Sequence, residues 1–193
     1  MAIDGKGIGV ALAATLWGGV AHAGEQFVDK DGIANFGYDV VAYHVDLAPA
    51  KGAAEFSATH NGATFWFASA ANRELFTADP EKFAPLYDGH CAFALTRHKK
   101  LTVDPEAFSI VDPATFEIIE TAGDGYEPGV GALYVNYSQS VNDQFNEDVA
   151  GNVAKADFAW KDCLELRPAA TLRKRFRDLF GGRRPDNCPP GDG

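Results

Sequence analysis

The dipeptide Asn61-Gly62 constrains the fold of this chain more than any other short stretch. A two-residue hairpin turn needs positive φ at both central residues, and Asn followed by Gly meets that need at the lowest steric cost. On one side Ala54-Glu55-Phe56-Ser57-Ala58-Thr59-His60 alternates small or apolar with polar residues; on the other, Thr64-Phe65-Trp66-Phe67 returns as an aromatic strand. The pair predicts an antiparallel hairpin with one face turned to a core. His60, just ahead of the turn, suits an exposed polar position.

The rest of the body adds helices and further strands. Ser69 can cap a helix whose apolar face is Leu75 and Phe76, and Asp79-Pro80-Glu81 restarts a short one, with Pro at the first helical position where its missing donor does no harm. Strands are expected at Leu101–Val103, Phe108–Val111, Thr115–Ile119 and Leu133–Tyr137, with a Gly- and Pro-rich loop at Gly123–Gly129. Ser138 or Ser140 caps a helix through Val141, Phe145 and Val149 that stops at Gly151, and a second runs past Ala154 and Phe158 to Trp160. The fold class is therefore α+β: a small antiparallel sheet with hairpins packed against several short helices. No internal repeat is evident.

The compartment changes what a cysteine means. Gly7–Trp17 is uncharged and mostly apolar, and Ala21-His22-Ala23 gives the small-x-small pattern of a cleavage site, so residues 1–23 read as a secretory signal peptide and the chain as periplasmic or secreted. The remaining residues, roughly 170, suit one domain with a real core. We place the α+β domain at 24–160, with an inserted loop around 112–131, and a basic extension at 161–193. The chain has a formal net charge of −10 with aromatics spread along it, which excludes an electrostatic nucleic-acid footprint. Arg167, Arg173, Lys174, Arg175, Arg177, Arg183 and Arg184 reverse the sign near the end. That tail can lie on its own acidic body, with Leu172, Phe176, Leu179 and Phe180 packing down, or meet an anionic membrane surface or an acidic protein.

Three cysteines remain to be placed. Pairing Cys163 with Cys188 closes a loop of about 25 residues, worth on the order of 3 kcal/mol by the chain-entropy model. Pairing Cys91 with either tail cysteine is the alternative. Cys91 sits in Gly89-His90-Cys91-Ala92, ahead of a stretch that ends in Arg97-His98-Lys99-Lys100. With Gly89 as a turn, a short helix puts Cys91 in its first turn, where the peptide dipoles favour thiolate and lower a free-thiol pKa from about 8.5. No P-loop, dinucleotide fingerprint, HExxH or GxSxG turn is present, and Asp104-Pro105-Glu106 and Asp112-Pro113 read as turn or cap residues.

Several ordered motifs resemble the exported YHS-domain proteins of bacteria. They are Gly37-Tyr38-Asp39-Val40-Val41-Ala42-Tyr43, Phe67–Arg73 with Pro80–Phe83, Gly89-His90-Cys91-Ala92, Leu133–Tyr137 and Gly151–Asp157, covering about residues 36 to 160. The resemblance implies a small α+β domain among heavy-metal-associated modules, with a recurring cysteine, or in some members selenocysteine, at the position of Cys91. Metal-associated members of the wider family also place cysteines where this chain has Phe67-Ala68-Ser69 and Asn72. His90 stands where the family usually has tyrosine, and His44 is a further added imidazole.

A thiolate with imidazoles is a credible ligand set for copper or zinc. The leading expectation is thus a periplasmic metal-binding protein, copper first and zinc second, with Cys91 as anchor and His90, His44 and His60 as partners. His90 and Cys91 are adjacent, so both reach one ion only at an irregular turn. Tyr38, Asp39 and Tyr43 line a pocket near Cys91 or form core packing around a satisfied carboxylate. Two other functions remain open: a thiol oxidoreductase or peroxide-reducing protein in which Cys91 is the catalytic nucleophile, and a non-catalytic ligand-binding module with an inert Cys91.

Overall fold

The computed structural model describes residues 26–123 and 125–164. The leader, the basic extension from Glu165 onwards and the Cys163–Cys188 pairing fall outside the described residues. Strand β1 (Ala53–His60) and strand β2 (Ala63–Phe67) form the predicted hairpin, paired antiparallel from His60↔Ala63 to Ala53↔Phe67. Asn61 and Gly62 turn it with φ of 47° and 78°, as a primed turn requires. A bulge between Ala53 and Ser57 shifts the register near its open end.

A second hairpin joins β3 (Asp104–Val111) to β4 (Ala132–Asn136), again with a bulge, between Asp104 and Phe108. The protein is α+β, with two two-stranded antiparallel sheets and five α-helices among the described residues. Leu101–Val103 is an extended link ahead of β3 rather than a strand. Thr115–Ile119 is not a ladder either: the Asp112 carboxylate accepts from the amides of Ala114 and Thr115, turning the chain at once and leaving a single bridge from Ile118 to Val111.

The five helices are short. Helix α1 (Ala42–Val45) precedes the first hairpin, and α2 (Ala70–Ala78) follows it, capped by Ser69 Oγ accepting from the Asn72 amide at 3.1 Å. Phe76 alone of α2 is buried; Leu75 is 44% exposed, off the face expected for it. Pro80–Lys82 forms a 3-10 turn. Helix α3 (Ala92–Leu95) precedes the second hairpin, and α4 (Gln139–Asn146) and α5 (Val149–Phe158) follow it.

Gly151 lies inside α5 and does not stop a helix. The break comes at Glu147-Asp148, because the Asp148 carboxylate folds back to accept from the Gly151 amide at 2.9 Å and restarts the chain as α5. A Cβ on Gly151 would strike that carboxylate. Beyond α5 the backbone loosens into a π-helical turn at Ala159–Leu164. Among the described residues no helix is long and apolar enough to cross a membrane.

Two contiguous apolar clusters hold these elements. One gathers Tyr43, Phe65, Phe67, Phe76, Phe83, Cys91 and Ile110 between the hairpins; the other gathers Tyr87, Leu95, Tyr134, Phe145, Val153 and Trp160 under α3, α4 and α5. Each fully buried aromatic or aliphatic side chain removes enough apolar area from water to stabilise by about 2 kcal/mol before entropy is counted. Cys91 belongs to the first cluster.

Candidate functional site

Cys91 is the N-cap residue of α3 and is 0% exposed. The chain reaches it through a tight turn at Tyr87–Gly89, all three residues having positive φ, with Gly89 at 76°. The predicted turn at Gly89 and the short helix are both present, with Cys91 one position ahead of the first turn. Its main-chain N–H donates to Leu101 O at 3.1 Å, and its thiol donates to Asn136 Oδ1 at 3.6 Å. The amides of Ala94, Tyr137 and Phe93 act on the sulfur without closing a capping hydrogen bond. Burial outweighs them and pushes the thiol pKa up, not down as the helix-terminus argument expected. A four-residue helix has little dipole to offer, and desolvation penalises the thiolate over its whole surface.

Asn136 is the hub of a buried amide network. Its Oδ1 also accepts from the Phe93 amide at 3.0 Å, and its Nδ2 donates to Asn142 Oδ1 at 2.9 Å. Asn142 in turn donates to Phe108 O, while Ser109 Oγ bridges Asn142 and Asn146. This ties α3, β3, β4 and α4 together. Sequence reasoning passed over these residues, although an asparagine ending the apolar run Leu133-Tyr134-Val135 was a visible signal: a buried amide is retained only where its hydrogen bonds are met.

The other expected residues lie elsewhere. Asp39 is 0% exposed and fully satisfied: Oδ1 accepts from the amides of Val41 (2.8 Å) and Ala42 (3.3 Å), Oδ2 from the Ala68 amide (2.8 Å) and Asn72 Nδ2 (2.6 Å). It holds the turn that leads into α1 and pins it to the end of β2 and the start of α2. Tyr43 is core, its hydroxyl donating to Pro105 O at 2.7 Å and accepting from Asn35, with burial holding its pKa well above the usual phenol value. Tyr38 is half-buried, donates to Glu106 and carries the Lys51 ammonium 3.6 Å above its ring. Of the two readings of this trio, the satisfied carboxylate describes Asp39.

The imidazoles are dispersed. His60 sits at the first hairpin's end, 3.1 Å from Glu81 Oε1 and 3.0 Å from Asn61 Nδ2. His90 lies between the Phe27 and Trp160 rings, at 5.5 and 6.0 Å. His44, on α1, is 0% exposed and edge-on to Phe83 at 5.4 Å, with neither ring nitrogen in a hydrogen bond of ordinary geometry. Burial lowers its pKa to about 4, offset only weakly by the Phe83 main chain. His98, in the basic run after α3, is half-buried and edge-on to Phe158. Among the described residues no three His, Cys, Asp or Glu side chains stand close enough to hold a metal ion. The residues Cys91, His90, His44 and His60 are not among any such group.

An open groove of about 380 Å³ lies between the Asp79–Leu86 stretch and the end of the long 112–131 connection. Ala84, Leu86, Val130 and Leu133 give it an apolar lining, and Asp79, Glu81 and Lys82 bring charge to it. Val130 is 53% exposed there, and Gly129 lies close against Lys82 and Phe83. The volume falls within the range of small-molecule sites. Compared with models of protein families, with curated proteins and with solved structures, the chain finds no match.

Proposed function

We propose that the chain is an exported, non-catalytic ligand-binding module of the YHS-domain type, in which Cys91 is a structural thiol. The observation that carries this reading is the zero exposure of Cys91 together with its S–H bond to Asn136 Oδ1. A nucleophilic or metal-anchoring cysteine needs the thiolate and a path for its reactant; here burial favours the protonated form and makes it a donor. The ligand is a small molecule whose apolar body lies in the groove beside Leu86, Val130 and Leu133, with Asp79, Glu81 and Lys82 at its polar end.

The test combines thiol mapping with elemental analysis of the native protein. A small alkylating reagent should leave the Cys91 peptide unmodified in buffer and modify it fully in denaturant, and Cys91→Ala should leave the metal content unchanged. Rapid alkylation of native Cys91, or stoichiometric copper or zinc that Cys91→Ala abolishes, would overturn the reading.

A further inference from the structure

We infer that the domain is a tandem duplication of one structural unit, and that Cys91 fills in the second unit the place, two residues past the turn glycine, that Asp39 fills in the first. The two units match in order: a left-handed turn, a short helix, a bulged hairpin and a serine-led helix. The turns Asn35-Phe36-Gly37 and Tyr87-Asp88-Gly89 have φ of 47°, 51° and 73° against 57°, 52° and 76°. Three consecutive left-handed residues are rare, so two such turns point to a shared template.

Hydrogen bonds repeat with them. Gly37 N donates to Ala34 O as Gly89 N does to Leu86 O, and Tyr38 N to Asn35 O as His90 N does to Tyr87 O. Asp39 N donates to Ala50 O as Cys91 N does to Leu101 O, and Ala34 N reaches Thr64 O in β2 as Leu86 N reaches Leu133 O in β4. Both hairpins carry their bulge at the same place, since Ala53↔Phe67 followed by Ser57↔Trp66 matches Asp104↔Asn136 followed by Phe108↔Val135. Each then passes through a serine, Ser69 or Ser138, into α2 or α4. Under this alignment the identities are scattered: Gly37 with Gly89, Ala42 with Ala94, Glu55 with Glu106, Ala63 with Ala132, Ser69 with Ser138, Phe76 with Phe145 and Asp79 with Asp148, too few to be read as a repeat.

The match extends to the buried side chain of each unit. Asp39 meets the amides two and three residues ahead, Val41 and Ala42, and that of Ala68 just beyond β2. At Cys91 the amides two and three residues ahead, Phe93 and Ala94, and that of Tyr137 just beyond β4 favour the sulfur's charged form without closing a capping hydrogen bond to it. In the second unit the acceptor work passes from the residue after the turn to its neighbour across the fold: Asn136 Oδ1, where the first unit has Phe67, takes both the Phe93 amide and the Cys91 thiol.

This inference deepens the proposed structural role of Cys91 and is tested by coupling rather than by reactivity. Melting temperatures of full-length Cys91→Asp, Asn136→Ala and the double variant form the cycle. Asn136→Ala leaves the Phe93 amide without an acceptor, and a carboxylate at position 91 supplies one. The loss caused by Asn136→Ala should therefore be smaller in the Cys91→Asp background, and Cys91→Asp should itself lose stability on acidification relative to the parent. An equal or larger loss overturns the inference, as does Cys91→Asp failing to fold while Cys91→Val folds. Because neither metal nor thiol reagent enters the cycle, these outcomes are separate from those of the labelling experiment.

Discussion

Asp39 shows how much one buried side chain can decide. Four donors converge on its two oxygens, and Asp39→Asn would set an amide N–H₂ against donors that need an acceptor. That substitution should cost at least about 3 kcal/mol, read as a lower urea midpoint at unchanged slope. His44 makes stability depend on solvent pH. Its folded pKa of about 4 lies below the unfolded value of 6.5, so as pH falls below 6.5 the unfolded chain takes up a proton that the folded one refuses. Stability from this group is whole above pH 6.5 and falls by about 3 kcal/mol by pH 4. In His44→Leu that part of the acid limb should flatten, measured as the pH dependence of unfolding against the parent. At this scale the sequence marked the right residues, Cys91 and Asp39, but not their states. Whether a thiol is ionised depends on what covers it, and Asn136 and Phe93 lie with Cys91 only once the second hairpin has closed.

At the scale of elements, local chemistry proved the better guide. The first hairpin was legible because Asn61-Gly62 specifies its turn and register together, and α2 because Ser69 announces it. The second hairpin was not legible as a pair: residues 112–131 separate its strands, and no turn signal links them. The α4–α5 break was misplaced because Gly151 resembles a stop signal while the true agent is a carboxylate three residues earlier. This predicts a coupled pair of variants. Gly151→Ala should destabilise by about 1 kcal/mol or more through its clash with Asp148, and Asp148→Ala should cost about 1 kcal/mol as a lost cap. Combined, Gly151→Ala should turn neutral or stabilising, since alanine is the better helix former once the carboxylate is gone. Thermal unfolding of the four proteins measures the coupling.

Across the whole molecule the segments around the two hairpins are joined by polar contacts, of which the Tyr43 bond lies in the core. Tyr43 on α1 reaches Pro105 O in β3, Tyr38 reaches Glu106, and the Phe27 amide reaches Asp88 O. Tyr43→Phe removes the hydroxyl between Asn35 and Pro105 and should lower stability by about 1.5 kcal/mol. If the hairpins open as one, the slowest-exchanging amides of β2 and β4 should lose hydrogen-exchange protection by the same amount; unequal losses would mean that they open separately. None of these contacts could be foreseen, since each joins residues far apart in sequence and depends on how the hairpins stack.

The bond from Tyr43 to Pro105 also sets an order of events during synthesis. While the ribosome has released only the first hairpin, the Tyr43 hydroxyl has no Pro105 carbonyl to reach, its ring has no Phe108 to pack against, and the apolar cluster lacks Cys91, Ile110 and Leu133. The emerging half must therefore wait, its apolar cluster incomplete, for the downstream half to be translated, and it is in that interval that a chaperone would find this chain.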